Sequence, residues 1–266
     1  MTCVDDDDRN GAVAGPERVA PVTALIADAA LQPTLSHFDI SDIDAERPQV
    51  LGALVDAALA RPLRELTIKY CSPPAPAPLA RLLRGGTLAS LTLVSTDMSD
   101  MQFSEAGAAL VAEALRATSA LTALDFFDVG LFRRENGIGG ILLAALVGHP
   151  SLRSLVVSEE YGKPVVMGTA FAALVAADAP ALEVLEATHI RLGDAGLALL
   201  VDALPRNRHL RALDISANDM SEQFARERLL PAVRANTGLL ELWAVSRYEP
   251  PYPAQLEAAE LVRSRR

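Results

Sequence analysis

Four histidines, two cysteines and a scatter of carboxylates carry the reactive side chains of this sequence, and their spacing decides whether they can act together. His37, His149, His189 and His209 stand in no H-x-x-x-H or H-E-x-x-H pattern, and Cys3 and Cys71 make no C-x-x-C, so no metal-ligand set is readable. No G-x-S-x-G elbow is present. The "NGIGG" at 136–140 lacks the G-K-[ST] of a phosphate loop and reads instead as the start of a helix. His37 and Asp39, with Thr67 nearby, sketch a hydrolase triad, but two positions apart on one strand is a generic surface pairing with no oxyanion donor in view. Catalytic residues, a cofactor and enzymatic activity are therefore not expected.

What remains is chemistry of binding. The 266 residues carry a net charge of −10, the wrong sign for a nucleic-acid backbone, whose recognition needs clustered Lys and Arg to displace counterions. Lysine occurs only at 69 and 163 among 24 basic residues; this reads as a GC-rich coding genome, or as a Lys-poor surface selected inside a eukaryotic host. Two cysteines cannot form a disulfide framework, which fits a reducing, cytoplasmic setting. The opening "MTCVDDDDRNGAVAGPER" is no secretory signal, and the longest aliphatic run, "ILLAALV" at 141–147, falls far short of the roughly 20 residues a bilayer requires. A monomer with no membrane association is expected. Export into a host cell by a specialised system would place the signal in the acidic tail.

The elements that must position any binding residues announce themselves by repetition. L-x-x-L-x-L and its apolar variants occur as "LSHFDI" at 35, "LRELTI" at 63, "LASLTL" at 88, "LTALDF" at 121, "LRSLVV" at 152, "LEVLEA" at 182, "LRALDI" at 210 and "LLELWA" at 239. Between them lie Ala- and Leu-rich stretches of helical period, "LGALVDAALA" at 51–60, "AGAALVAEAL" at 106–115, "MGTAFAALVAA" at 167–177 and "AGLALLVDAL" at 195–204. Ser104, Asp194 and Ser221 are expected N-caps. A lone strand–helix unit cannot bury its apolar edge, whereas stacked units share one core, so the period predicts a solenoid with parallel inner strands and outer helices. The expected division is a disordered acidic tail at 1–15, a capping helix at 16–34, about eight repeats over 35–248, and a second capping helix at 249–266.

These units resemble the leucine-rich repeats of the ribonuclease-inhibitor-like class, whose unit reads L-x-x-L-x-L-x-x-N followed by a helix with G-A-x-A-L-A. The resemblance implies a curved α/β horseshoe over residues 35 to 248 that binds other proteins. The Asn position departs from the pattern: it is Asn only at Asn218, and elsewhere holds Ile43, Cys71, Thr96, Val129, Glu160, Ile190 and Arg247. Cys71 is read as a buried occupant of that position. The "AGAAL" and "AGLAL" helices are similar to the GALA repeats of effectors that plant-associated bacteria inject into host cells, which implies a bacterial effector that binds a host protein. Those effectors carry an F-box-like segment, and residues 1–34 are too short for one. The alternative implied by the class is a regulator of an enzyme such as a GTPase or nuclease.

Two faces are candidates for the partner. If each strand buries its leucines, the residues two, four, six and seven places after the first Leu face the concave side. This face is acid-biased and includes Asp39, Glu65, Tyr70, Asp125, Phe127, Asp128, Glu159, Glu186, Asp214 and Trp243, which suits a basic protein surface. Trp243 is either an anchor on that wall or, with Tyr248, Tyr252 and the last helix, part of the lid over the open end, the role its place in the final repeat favours. The other candidate is the rim on the strand-to-helix side, where "STDMSDMQFSE", "DVGLFRRENG" and "SEEYGKPVV" lengthen the repeats. It brings together Met98, Met101, Phe132, Arg133, Arg134, Tyr161 and Lys163, and because insertions on one rim often form a binding face this rim is the favoured patch, although Phe103 and Phe132 could instead tuck into the core.

Overall fold

The computed structural model describes residues 59, 63–69, 76–94, 103–132, 137–159, 167–246 and 250–266, and the backbone at 37–41. Eight strands form one parallel sheet in chain order: β1 His37–Ser41, β2 Glu65–Lys69, β3 Ser90–Val94, β4 Ala123–Phe127, β5 Ser154–Ser158, β6 Val184–Thr188, β7 Ala212–Asp214 and β8 Glu241–Trp243. Each begins two residues after the first Leu of its repeat, and neighbours pair without slippage, Leu66 with Leu91, Leu91 with Leu124, Leu155 with Leu185 and Leu213 with Leu242.

The repeat motif explains this register. Its three apolar positions become three buried columns running through the stack: Leu63, Leu88, Leu121 and their successors, then Leu66, Leu91, Leu124, then Ile68, Leu93, Phe126, Val157. A one-residue slip would turn every leucine to the solvent face, so burial fixes the pairing. The turn before each strand adds a regular backbone link. The carbonyl one residue after a first Leu accepts two amides of the following repeat, as Arg64 does from Ala89 and Ser90, Thr122 from Arg153 and Ser154, and Arg211 from Leu240 and Glu241.

The helices cover one side of the sheet: α1 Pro76–Arg84, α2 Glu105–Ala117, α3 Ile138–Leu146, α4 Gly168–Ala176, α5 Gly193–Ala203, α6 Glu222–Phe224, α7 Leu230–Ala235 and α8 Pro253–Arg263. Helices about 10 Å across outside strands about 4.8 Å apart bend such an array, leaving the helix-free face concave. The helices approach closely where side chains vanish: a Cβ on Gly168 would lie 2.5 Å from Gly196 Cα. Between α6 and α7 the chain takes a π turn at Ala225–Leu229, with Leu230 N–H bonded to Ala225 O. Pro231 has no N–H to give to Glu227 O, and the wider turn accommodates that loss.

Ser104 caps α2 by accepting from Gly107 N–H at 3.1 Å, and Ser221 caps α6 by accepting from Phe224 N–H at 3.1 Å. Asp194 is not a cap. It is the second residue of α5, and its carboxylate accepts from Ser221 N–H and Oγ at 2.8 and 2.6 Å, tying one repeat to the next. Gly137, with φ of 73°, precedes α3, so "NGIGG" does open a helix.

At the far end α8 closes the stack with Ala254, Ala258 and Val262 buried. Gln255 is buried with them: Nε2 donates to Ala244 O at 2.7 Å while Oε1 accepts from Tyr252 N–H at 2.8 Å. Arg265 donates to Val233 O and Leu239 O. Residues 1–34 lie outside the described residues. No described helix is long and apolar enough to cross a membrane.

Candidate partner-binding face

Alternation along each strand sends one set of side chains to the helices and the other to the helix-free face. The register lines up the central outward positions as one row across the sheet: Thr67, Thr92, Asp125, Val156, Glu186, Asp214 and Trp243, with Asp39 continuing it on the β1 backbone. The members from Thr67 to Asp214 are half-buried, and Trp243 is 47% exposed. Beside the row, Phe127 is 40% exposed and Glu65 is exposed.

The row is electrostatically unbalanced. Asp125 Oδ2 accepts from Thr92 Oγ1 at 3.0 Å, yet burial still pushes its carboxyl above the ordinary aspartate value. Burial raises Glu186 as well, and the charges of Asp214 and Asp125 add to the effect. Asp214 Oδ1 accepts from Ser216 N–H at 2.8 Å, while its other oxygen and the whole Glu186 carboxylate have no hydrogen-bond or ion-pair partner among the described residues. Like charges directly opposite on adjacent strands destabilise a sheet, so Glu186 beside Asp214 opposes folding. At the edge, Glu241 is paired with Arg266 of the chain's own last turn.

Several expected site residues lie elsewhere. Phe132 is not on a rim: it is 0% exposed, its ring 5.4 Å from that of Phe126. The connection after β4 tucks inward, burying Val129, Leu131 and Phe132 together, with Gly130 N–H donating to Glu159 Oε2 at 3.1 Å. Phe103 is also in the core, 7% exposed. At the seventh position Asp128 and Glu159 are buried and do not share the concave face, whereas His189, Ala217 and Ser246 are half-buried. The chain turns out of the sheet there through left-handed backbone, with φ of 54° at Asp128, 58° at His189 and 55° at Ala217. Trp243 is too exposed to be the lid; Ala254, Ala258 and Val262 do that work. Tyr70, Met98, Met101, Arg133, Arg134, Tyr161 and Lys163 lie outside the described residues, as do Cys71 and Tyr248.

Sequence reasoning missed a second polar column. Three residues before the first Leu of a repeat stand His149, Asn207 and Asn236, all buried. Each stands between a helix and the next strand and joins that strand's start to the end of the neighbouring helix one repeat further back. Asn207 Nδ2 donates to Val175 O at 2.7 Å and Oδ1 accepts from Leu210 N–H at 2.8 Å. Asn236 repeats the pattern with Leu204 O and Leu239 N–H. His149 does the same through Nε2 to Leu115 O at 3.0 Å, with Nδ1 accepting from Leu152 N–H at 3.1 Å, which makes Nε2 the protonated nitrogen. The readable signal was a polar residue three places ahead of the motif in five of the eight repeats, Gln32, Thr118, His149, Asn207 and Asn236. Asn218, at the position the repeat class reserves for Asn, bridges in like manner, donating to Ala187 O at 2.6 Å and accepting from Leu192 N–H at 3.3 Å.

Strand order, register and one-sided helices define a leucine-rich-repeat-like α/β solenoid with an open, acidic inner sheet. No protein-family model matches the chain, and no curated protein matches it. Among solved structures it is similar to the tropomodulin C-terminal domain of Caenorhabditis elegans, at 10% identity over 93% of this chain and 92% of that one, with a TM-score of 0.24. A likeness of that size carries no argument, and the architecture stands on its own topology. Among the described residues, no group of three or more His, Cys, Asp or Glu is placed to hold a metal ion.

Proposed function

We propose that this chain is a non-catalytic protein-binding module whose helix-free face docks a partner with a basic surface. The observation that carries the reading is the row Asp125, Glu186 and Asp214, half-buried, mutually repulsive and without a cation among the described residues, ending in an exposed indole. Carboxylates that burden the folded sheet are satisfied when a partner supplies positive charge, and an exposed Trp is a common interface anchor. Within this reading the partner is either a host protein met after export, as for a bacterial effector, or an enzyme such as a GTPase or nuclease held under regulation.

The test is capture by the purified protein from lysates of its own cell and of a host cell. It runs beside the triple variant Asp125→Asn/Glu186→Gln/Asp214→Asn and the rim variant Arg133→Ala/Arg134→Ala. The reading expects a stoichiometric partner that the rim variant keeps and that the face variant binds at least roughly tenfold more weakly. A partner lost only by the rim variant would contradict it and move the site to Met98, Met101, Arg133, Arg134, Tyr161 and Lys163. The identity of the captured protein separates effector from regulator.

A further inference from the structure

Asp214 and Trp243 are direct partners in the β7–β8 register, and Glu186 is the partner of Asp214 on the other side. Adjacent strands lie about 4.8 Å apart, so Asp214 stands between a carboxylate and an indole, each about one strand spacing away. Half of the indole is open, one Asp214 oxygen and the Glu186 carboxylate have no partner among the described residues, and Phe127, the other exposed aromatic among the described residues of the sheet, lies four strands away. Beside this set, the chain's own Arg266 already engages Glu241, on the same strand as Trp243 and two residues before it. The face therefore accepts a guanidinium at its edge.

We infer that Asp214, Trp243 and Glu186 form a subsite for one arginine side chain of the partner. This rests on the reading of the helix-free face given above. A guanidinium is planar and weakly hydrated: it stacks on an indole while its fork of N–H donors meets the carboxylates, whereas an ammonium is a hydrated point charge that gains less from the ring. Arg thus fits this trio better than Lys, and a neutral side chain of the same shape lacks the charge that Glu186 and Asp214 demand.

Trp243 is the single tryptophan of the chain, so its fluorescence reports on the subsite directly. The experiment titrates the full chain at physiological salt with acetyl-Ala-Arg-Ala-amide, its lysine counterpart and its citrulline counterpart. The expected result is a saturable change in emission with the arginine peptide, roughly two- to fivefold weaker binding of the lysine peptide and none with citrulline. Asp214→Asn should weaken the arginine peptide roughly tenfold. Trp243→Leu, followed by peptide-observed NMR, should erase the preference for Arg over Lys. Equal binding of the Arg and Lys peptides would overturn the inference, and so would an Asp214→Asn variant that keeps wild-type affinity, or an emission that no peptide changes. Failure here is separable from failure of the broader reading: a captured partner that still depends on Asp125 and Glu186 would leave the acidic face standing while removing the arginine subsite.

Discussion

Glu186 is the residue at which stability and binding oppose each other. Replacing it with Gln keeps the shape and removes the charge facing Asp214, a like-charge relief of about 0.2–1 kcal/mol. We expect Glu186→Gln to raise the melting temperature at pH 7 by roughly 1–4 °C while weakening the partner. The pH dependence has a definite sign. A carboxyl whose value is raised in the folded state holds its proton more tightly there than in the unfolded chain. Its contribution is therefore most favourable below the ordinary glutamate value of 4.5 and declines as pH rises through the raised one. Thermal melts across this window should show that decline in the wild type and a smaller one in the variant. His149 behaves in the opposite way. Burial holds its value below the ordinary 6.5, so its contribution is complete above that pH and is lost as pH falls through 6.5 toward the folded value, where protonation removes the Nδ1 acceptor of Leu152 N–H. His149→Leu strands that amide and Leu115 O, each worth about 1–3 kcal/mol in urea denaturation. His149→Asn should retain more stability, since Asn207 and Asn236 perform the same bridge.

Among the elements, the contact of α4 with α5 sets how tightly the outer layer can pack. A methyl on Gly168 would meet the backbone of Gly196, Cα at 2.5 Å and O at 2.6 Å, and backbone cannot swing aside as a side chain can. Gly168→Ala should cost about 1–3 kcal/mol. Gly140, inside α3 with nothing within 4 Å of its added Cβ, is the control: Gly140→Ala should gain about 0.5–1 kcal/mol. Denaturant midpoints of the two variants should move in opposite directions, and a matched shift would show that the helices are not limited by this contact. The strands and most helices were legible because period two and period 3.6 both survive in the sequence, as in "LRALDI" and "AGAALVAEAL". Boundaries blurred where a side chain could serve two ends. Asp194 has the chemistry of a cap, and only the neighbouring repeat shows that it is spent on Ser221.

For the whole molecule, the eightfold motif carried the architecture because each Leu column must align for any repeat to bury its edge. The face was half legible. Alternation gave Asp125, Glu186, Asp214 and Trp243, but their alignment in one row depends on a register that no single repeat contains. The rim was misread at Phe132 because an irregular connection has no period to tell a buried aromatic from an exposed one. The polar bridges at His149, Asn207 and Asn236 were only partly legible because Ala60, Gly85 and Ala179 interrupt that position in other repeats, and the hydrogen bonds run to helices about 30 residues away. The central claim is that the helix-free face is where the partner sits. The most direct measurement is Trp243 emission while the captured partner is titrated into the full chain, with calorimetry on the same samples. The account predicts an emission change that saturates at the calorimetric stoichiometry and weakens in the Asp125→Asn/Glu186→Gln/Asp214→Asn variant. Calorimetric saturation with an unmoved Trp243 emission would contradict it.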